Sequence, residues 1–269
     1  MKARTSLSRQ WFALSLALTL ATAVMAAETA PASSPQSPAA SSRPKITKLG
    51  TIDCDLVETT PIVFRGRVYR CEWVRTTYAG NLLKQDYIRL VDRETGRATA
   101  PLGRGYMFAS AYVEGGTVYV TGTRKSSQGD QIRMFASSDL EHWEEWTVFD
   151  QPGFGLFNTS MCKAGEDYVL MFEIDRPAEQ AGVAFTARFL KSKDLRSWQL
   201  TSPECVYAKD RYTAPHCLRY LDGWFYNFYL EAFQGYEMRV VRSRDLARWE
   251  PSPLNPVLDR KSTRLNSSH

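Results

Sequence analysis

Two glutamates close apolar runs at matching offsets. In "GWFYNFYLE" Glu231 lies eight residues after Gly223, and in "GEDYVLMFE" Glu173 lies eight after Gly165. A carboxyl set in apolar surroundings can keep its proton near neutral pH, because burial disfavours the charged form. Two such groups across a scissile bond can serve as general acid and as base or nucleophile. Asp175 has the parity of Glu173 and sits where its run gives way to "RPAEQ". The assignment expected is Glu231 as general acid, with Glu173 or Asp175 as base or nucleophile. The alternative is that these acids pair with arginines such as Arg211 or Arg75 and merely hold the site's mouth together. Glu58 and Glu72 stand near run ends further upstream. Asp210 and Arg211 suit either the orientation of ligand hydroxyls or a salt bridge between repeats. His216 reads as a satisfied strand histidine and His142 as an exposed turn residue.

The elements that must position these groups recur. "SSDLEHWEEW", "SKDLRSWQL" and "SRDLARWEP" repeat Ser-x-Asp-Leu-x-x-Trp, with aspartates at 139, 194 and 245. A period of about fifty residues marks a repeat architecture. Between the marks lie paired runs rich in Val, Ile, Tyr, Phe and Trp, as half-buried strands require. They are joined by turns at Arg65-Gly66, Gly115-Gly116, Ala164-Gly165 and Asp222-Gly223. No stretch after the leader holds a helical period. Each unit therefore reads as a four-stranded antiparallel sheet: a hairpin, a third strand ("QIRMFAS", "FTARFLKS", "EMRVVRS"), the repeated turn and an outer strand. Such sheets stacked around an axis form a β-propeller, which buries both faces of each sheet. The Asp is expected to bond turn amides and the Trp to wedge between blades.

The fold class is thus all-β, a propeller with four blades present of an expected five, since hairpins begin near 60, 107, 157 and 212. "ITKLGTI" is a candidate closing strand, and a ring short of a blade would expose the flanks of blades one and four. Residues 1–26 read as a Sec-type signal peptide: Lys2, Arg4 and Arg9, then "WFALSLALTLATAVMA". Residues 27–45 read as an Ala/Pro/Ser-rich disordered linker, and 46–258 as an incomplete propeller. Residues 259–269, "DRKSTRLNSSH", read as a translated sequencing adapter, so a longer natural protein is expected. The formal charge of +5 comes from the basic residues of these two ends. The remainder is neutral and offers no electrostatic footprint for nucleic acid or an anionic membrane. A secreted or periplasmic protein follows, with no membrane association after cleavage. Cysteines 54, 71, 162, 205 and 217 fit no metal spacing and leave at least one unpaired within the chain. No cofactor or metal is expected, and the oligomeric state is open.

The pattern resembles the five-bladed propeller glycoside hydrolases, the superfamily that holds families 32, 43 and 117, over about residues 50–258. It rests on "TPIVFRGRVYR", the three repeated turns, and "YTAPHCLRYLDGWFYNFYLEA" followed by "SRDLARWEPSPLNPVL". The resemblance implies an axial pocket that takes carbohydrate, with catalytic acids near the starts of innermost strands. The corresponding residues are Thr60, Asn158 and Thr213, all neutral, which stand as substrate-binding candidates with Asp210, Arg211 and Trp224. Paired carboxylates on such a scaffold stand about 5–5.5 Å apart for retention and about 6.5–9.5 Å for inversion. Trp143, Trp198 and Trp249 belong to the repeated turns, which leaves Trp224 and Tyr236 for sugar stacking. Calcium, present in some related propellers, finds no acidic cluster here. The implied function is an exported glycoside hydrolase acting on an oligosaccharide. A non-catalytic glycan-binding propeller is the alternative, favoured by the three neutral residues. A sialidase-like enzyme ranks third, because the repeated turn lacks the glycine after Asp and no arginine triad is evident.

Overall fold

Four tight turns start the four sheets. The computed structural model describes residues 57–258, apart from 233 and 234. Positive φ is needed at both positions of the Arg65-Gly66, Gly115-Gly116 and Asp222-Gly223 turns, and glycine meets that need at no steric cost. The third turn departs from the sequence reading. Ala164 pairs with Asp167, so the loop is Gly165-Glu166 rather than Ala164-Gly165, and only Gly165 has positive φ, at 62°.

Blade one holds β1 (Val57–Phe64), β2 (Arg67–Val74) and β3 (Tyr87–Asp92). It has three strands where four were expected. Bridges from Ile88 to Leu102 and from Val91 to Ala98 set segment 98–102 in the fourth strand's place. Blade two is β4 (Met107–Glu114), β5 (Thr117–Arg124), β6 (Gln131–Ser137) and β7 (Glu144–Asp150). Blade three is β8 (Gly155–Ala164), β9 (Asp167–Arg176), a short helix α1 (Ala178–Ala181), β10 (Thr186–Ser192) and β11 (Gln199–Leu200). Blade four is β12 (Thr213–Leu221), β13 (Trp224–Ala232), β14 (Tyr236–Ser243) and β15 (Glu250–Pro251). All ladders are antiparallel, and the innermost strands β1, β4, β8 and β12 lie side by side in that order. The propeller arrangement is as the sequence implied.

Alternation along the strands sends one set of side chains to each neighbouring blade. Ile62, Phe64 and Cys71 pack on Val118, Val120 and Phe135 of blade two. Ile132 and Met134 pack on Leu170, Phe172 and Ile174. Val169, Met171 and Phe189 pack on Leu218 and Phe225. Each fully buried side chain of this size stabilises the fold by about 1.5–3 kcal/mol. Val63 on β1 and Leu221, Phe228 and Tyr236 in blade four are exposed. The segment 46–50, the leader, the linker and the tail lie outside the described residues.

The repeated turns are structural. Asp194 Oδ1 accepts from the Arg196 and Ser197 amides at 2.8 and 2.7 Å, and Ser192 Oγ accepts from Leu195 N at 2.9 Å. Asp139 and Asp245 repeat the pattern. These amide bonds hold Asp194 down at about 2. The leucine of each motif (Leu140, Leu195, Leu246) takes positive φ, 63–68°, a strained state for a side-chain-bearing residue. Its burial among core residues offsets that strain. Trp249 fills the seam between blades three and four, stacking on Phe189 with centroids 5.9 Å apart.

Candidate active site

Every innermost strand bulges near its start. Register shifts fall at Val57/Thr60, Met107/Ser110, Leu156/Thr159 and Thr213/His216. Each leaves two residues out of the ladder and re-aims them, as bulges do: Glu58-Thr59, Phe108-Ala109, Phe157-Asn158 and Ala214-Pro215. Glu58 and Phe108 take φ of 47° and 55° to do so. The three positions matched in the sequence are therefore not equivalent. Thr60 follows its bulge, Asn158 lies within one and Thr213 precedes one. The acid at the start of an innermost strand is Glu58, two residues before Thr60.

An axial cavity of about 250 Å³ opens among these strands, lined by Glu58, Thr60, Asn158, His216, Tyr229 and Met238 with their neighbours. Its wall between blades two and three is tied by a hydroxyl triangle: Ser110 Oγ lies 3.0 Å from Thr121 Oγ1 and from Thr159 Oγ1, and the two threonines are 2.8 Å apart. Glu58 is the acid on the cavity wall, and its Oε2 is buried without a hydrogen-bond partner among protein atoms. Burial pushes its carboxyl up to about 7. The neighbouring Glu173 carboxylate adds to the rise and Arg75 opposes it.

Glu173 is fully buried behind Asn158 and His216. Oε2 accepts from Asn158 Nδ2 at 2.8 Å, and Oε1 accepts from His216 N at 2.8 Å with His216 Nδ1 2.9 Å away. Nε2 of His216 is buried without a protein partner. Glu231 pairs across the hairpin with Thr213, as the sequence implied, and Thr213 is itself buried. The equal offsets of Glu173 and Glu231 from their glycines do not give equal strand positions, because the third turn sits one residue later. Glu173 is the seventh residue of β9 and Glu231 the eighth of β13, so they leave their sheets on opposite sides. Since they belong to consecutive blades, both face the seam between blades three and four.

Glu231 meets arginines there. Arg211 Nη1 lies 3.8 Å from Oε2, Arg239 Nε lies 3.4 Å from Oε1, and the Tyr229 hydroxyl donates to Oε2 at 3.3 Å. Asp210 is bound by Arg211 at 2.5 Å on the exposed rim. Asp175 lies outside the axial cavity, in a second cavity with Lys125, Asp130, Phe157 and Arg176. Trp224 is at the far end of β13 from Glu231, covered by the guanidiniums of Arg242 and Arg244 at 4.1 and 4.0 Å from its ring centre. It takes no part in the mouth. Exposed His142 pairs with Asp139 in the repeated turn.

The sequence reading named Tyr236 and missed the arc of rings to which it belongs. Trp73, Phe108, Phe157, Phe185, Tyr212 and Tyr236 follow one another with centroids 4.3–6.1 Å apart, from blade one to blade four. The first five are half-buried and Tyr236 is exposed. Burial, then Tyr236, then the Glu173 and Glu58 carboxylates push the Tyr212 hydroxyl up, so this ring shares the surroundings of both acids. Cys71, Cys162, Cys205 and Cys217 are free thiols, and Cys54 lies outside the described residues. Burial raises Cys71 and Cys162 to about 12, which makes them inert packing groups. Among the described residues no group of three or more His, Cys, Asp or Glu side chains is placed to hold a metal ion.

The propeller is shared with solved glycoside hydrolases. The chain is similar to a family 93 α-L-arabinofuranosidase of Fusarium graminearum in complex with arabinobiose (TM-score 0.54, 13% identity, 73% of this chain and 65% of that one). It is similar to an α-L-arabinanase of Penicillium chrysogenum, also complexed with arabinobiose (TM-score 0.52, 11% identity, 73% and 66%). A family 43 protein of Bacillus licheniformis matches at TM-score 0.52 and 13% identity, over 79% of this chain and 43% of that one. The chain thus spans less than two thirds of each of these proteins. No protein-family model and no curated protein sequence matches it.

Proposed function

We propose that this chain is an exported glycoside hydrolase that cleaves an oligosaccharide at the axial cavity, with Glu58 as proton donor and Glu173 as its partner carboxyl. The observation that carries this reading is the Glu58 carboxyl: it lines the cavity, has an unpartnered oxygen, and is raised to about 7 by burial and by Glu173. A protonated acid near neutrality is what departure of a sugar oxygen requires. Glu173 reaches the cavity by exchanging its Asn158 bond for a bond to water or to the sugar. Glu231, set between two arginines, keeps the seam of blades three and four and lies beside the sugar rather than giving it a proton. The shared fold supports the reaction class by analogy, and the site carries the argument.

A panel of aryl glycosides and linear oligosaccharides tests the proposal. Glu58→Gln is expected to lower kcat/KM about 10²- to 10⁴-fold, as loss of a general acid does, with the unfolding midpoint retained. Unchanged hydrolysis by that variant overturns the assignment. The second reading, a glycan-binding propeller without hydrolysis, draws on the complete burial of Glu173, which leaves Glu58 as the acid on the cavity wall. Binding of the same panel with no turnover by the parent protein supports it.

A further inference from the structure

The two oxygens of Glu173 are held unequally. Oε1 takes two bonds from one residue, the backbone N of His216 at 2.8 Å and Nδ1 of the same histidine at 2.9 Å. Oε2 takes one bond, from Nδ2 of Asn158 at 2.8 Å. An ionised carboxyl only accepts hydrogen bonds, so Nδ1 is the ring nitrogen that carries a proton and donates.

The backbone half of the His216 tie belongs to the fold. β12 is an edge strand of its sheet, and its unpaired amides turn to blade three: His216 N to Glu173 and, two residues on, Leu218 N to Ser160 Oγ at 3.0 Å. The imidazole half is not explained by packing. The side chain is fully buried beside the Tyr229 ring, with centroids 5.8 Å apart, and Nε2 has no partner among the described residues. A buried nitrogen left unmet is unfavourable, and an apolar side chain would fill the space without one. Among the described residues the polar contact that this ring makes is with Glu173.

Asn158 is the looser tie. It lies in the β8 bulge, lines the axial cavity and is half-buried. Its Oδ1 has no partner among the described residues, so the Nδ2 bond to Glu173 is what fixes the amide. Water or a sugar hydroxyl that engages this amide from the cavity frees Oε2, while Oε1 stays bound to His216.

We propose that His216 is the positioning residue of Glu173: its imidazole holds Oε1 as a pivot, so that Oε2 is the oxygen that leaves Asn158 and turns to the cavity. This rests on the hydrolytic role of Glu173, whereas the hold on Oε1 does not depend on turnover.

The test uses the full chain and three variants. His216→Phe and His216→Leu keep the backbone bond and remove the ring donor, and His216→Asn offers an amide donor near the place of Nδ1. On the panel of aryl glycosides and oligosaccharides, the two donorless variants are expected to lose about 10²-fold in kcat, as a small misplacement of a reacting group does, with KM little changed. His216→Asn is expected to recover most of that loss. Infrared difference spectra of each protein against the same protein carrying Glu173→Gln isolate the Glu173 carboxylate bands without turnover. These bands are expected to shift in the donorless variants and to return toward the parent position in His216→Asn. Bands that stay in place overturn the positioning role, as does unchanged kcat or an equal loss in all three variants. Shifted bands with no turnover by the parent overturn hydrolysis and leave the hold on Glu173 standing. Two donorless shapes are used so that failure of one to fold leaves the other to decide.

Discussion

Glu72 in blade one and Glu173 in blade three stand at the same point of their sheets, on the second strand opposite the bulge of the first, and both are fully buried. Their company differs. Glu72 is bound by Arg70, two residues before it, and by Arg89, its partner across the sheet, at 2.8 Å. At the corresponding places around Glu173 stand Met171 and Ala187. Glu173 is met by an amide and a histidine from neighbouring innermost strands instead. One carboxyl is thus matched by cations within its own sheet, and the other by a neutral amide of its own sheet and a histidine of the next blade. Glu58 is raised to about 7 by its own burial first and by the Glu173 carboxylate second. The partner across the strand, more than the acid itself, separates a glutamate matched by cations from one without them.

Two tests press on that contrast, and a third probes the turns that hold the blades. The largest effect is expected from Glu72→Gln, which leaves two guanidiniums facing a neutral amide; removing one partner of a buried ion pair costs about 3 kcal/mol or more. Glu173→Gln keeps shape and part of the hydrogen bonding and is expected to cost less, about 1–2 kcal/mol. Urea unfolding of both variants gives the comparison, and equal losses would contradict it.

Next in size is the pH profile of kcat/KM. Glu58 must hold its proton, so activity is expected to fall as pH rises through about 7. The Glu173 carboxylate raises that value, so Glu173→Gln should move whatever activity it retains to a lower limb. Arg75 lowers it, so Arg75→Met should move the limb to higher pH. Glu72→Gln should leave the limb in place.

The smallest effect belongs to the repeated turns. Asp194 is held at about 2 by turn amides, below an unfolded value of about 3.9. A depressed carboxyl contributes stability above the unfolded value, and that stability is lost as pH falls from about 4 through about 2. Asp194→Asn is expected to flatten this part of the stability curve slightly, as read by thermal melts between pH 2 and 5.

The blades were legible because their signals are local. Two-residue glycine turns, alternating runs and the Ser-x-Asp-Leu-x-x-Trp mark each act within a few residues, and the strands begin close to where the sequence places them. The site was less legible because it depends on single-residue offsets. A slip of one position in the third turn puts Glu173 and Glu231 on opposite faces, and four bulges displace Glu58, Phe108, Phe157 and Pro215 from simple alternation. One signal was present: proline inside a strand run, as at Pro215, marks a bulge. It does not extend to blade one, where Pro61 pairs with Arg70 inside the ladder and the bulge falls at Glu58-Thr59. The aromatic arc had no sequence signal, since its rings come from bulges and connections far apart in the chain.

The central claim is that the Glu58 carboxyl titrates near neutral pH, well above the ordinary carboxylate range. Infrared difference spectroscopy of the parent protein against Glu58→Gln isolates the Glu58 carboxyl band across a pH titration. A midpoint near 7 is the result expected, and a midpoint near 4, the ordinary value for a solvated glutamate, would contradict the account.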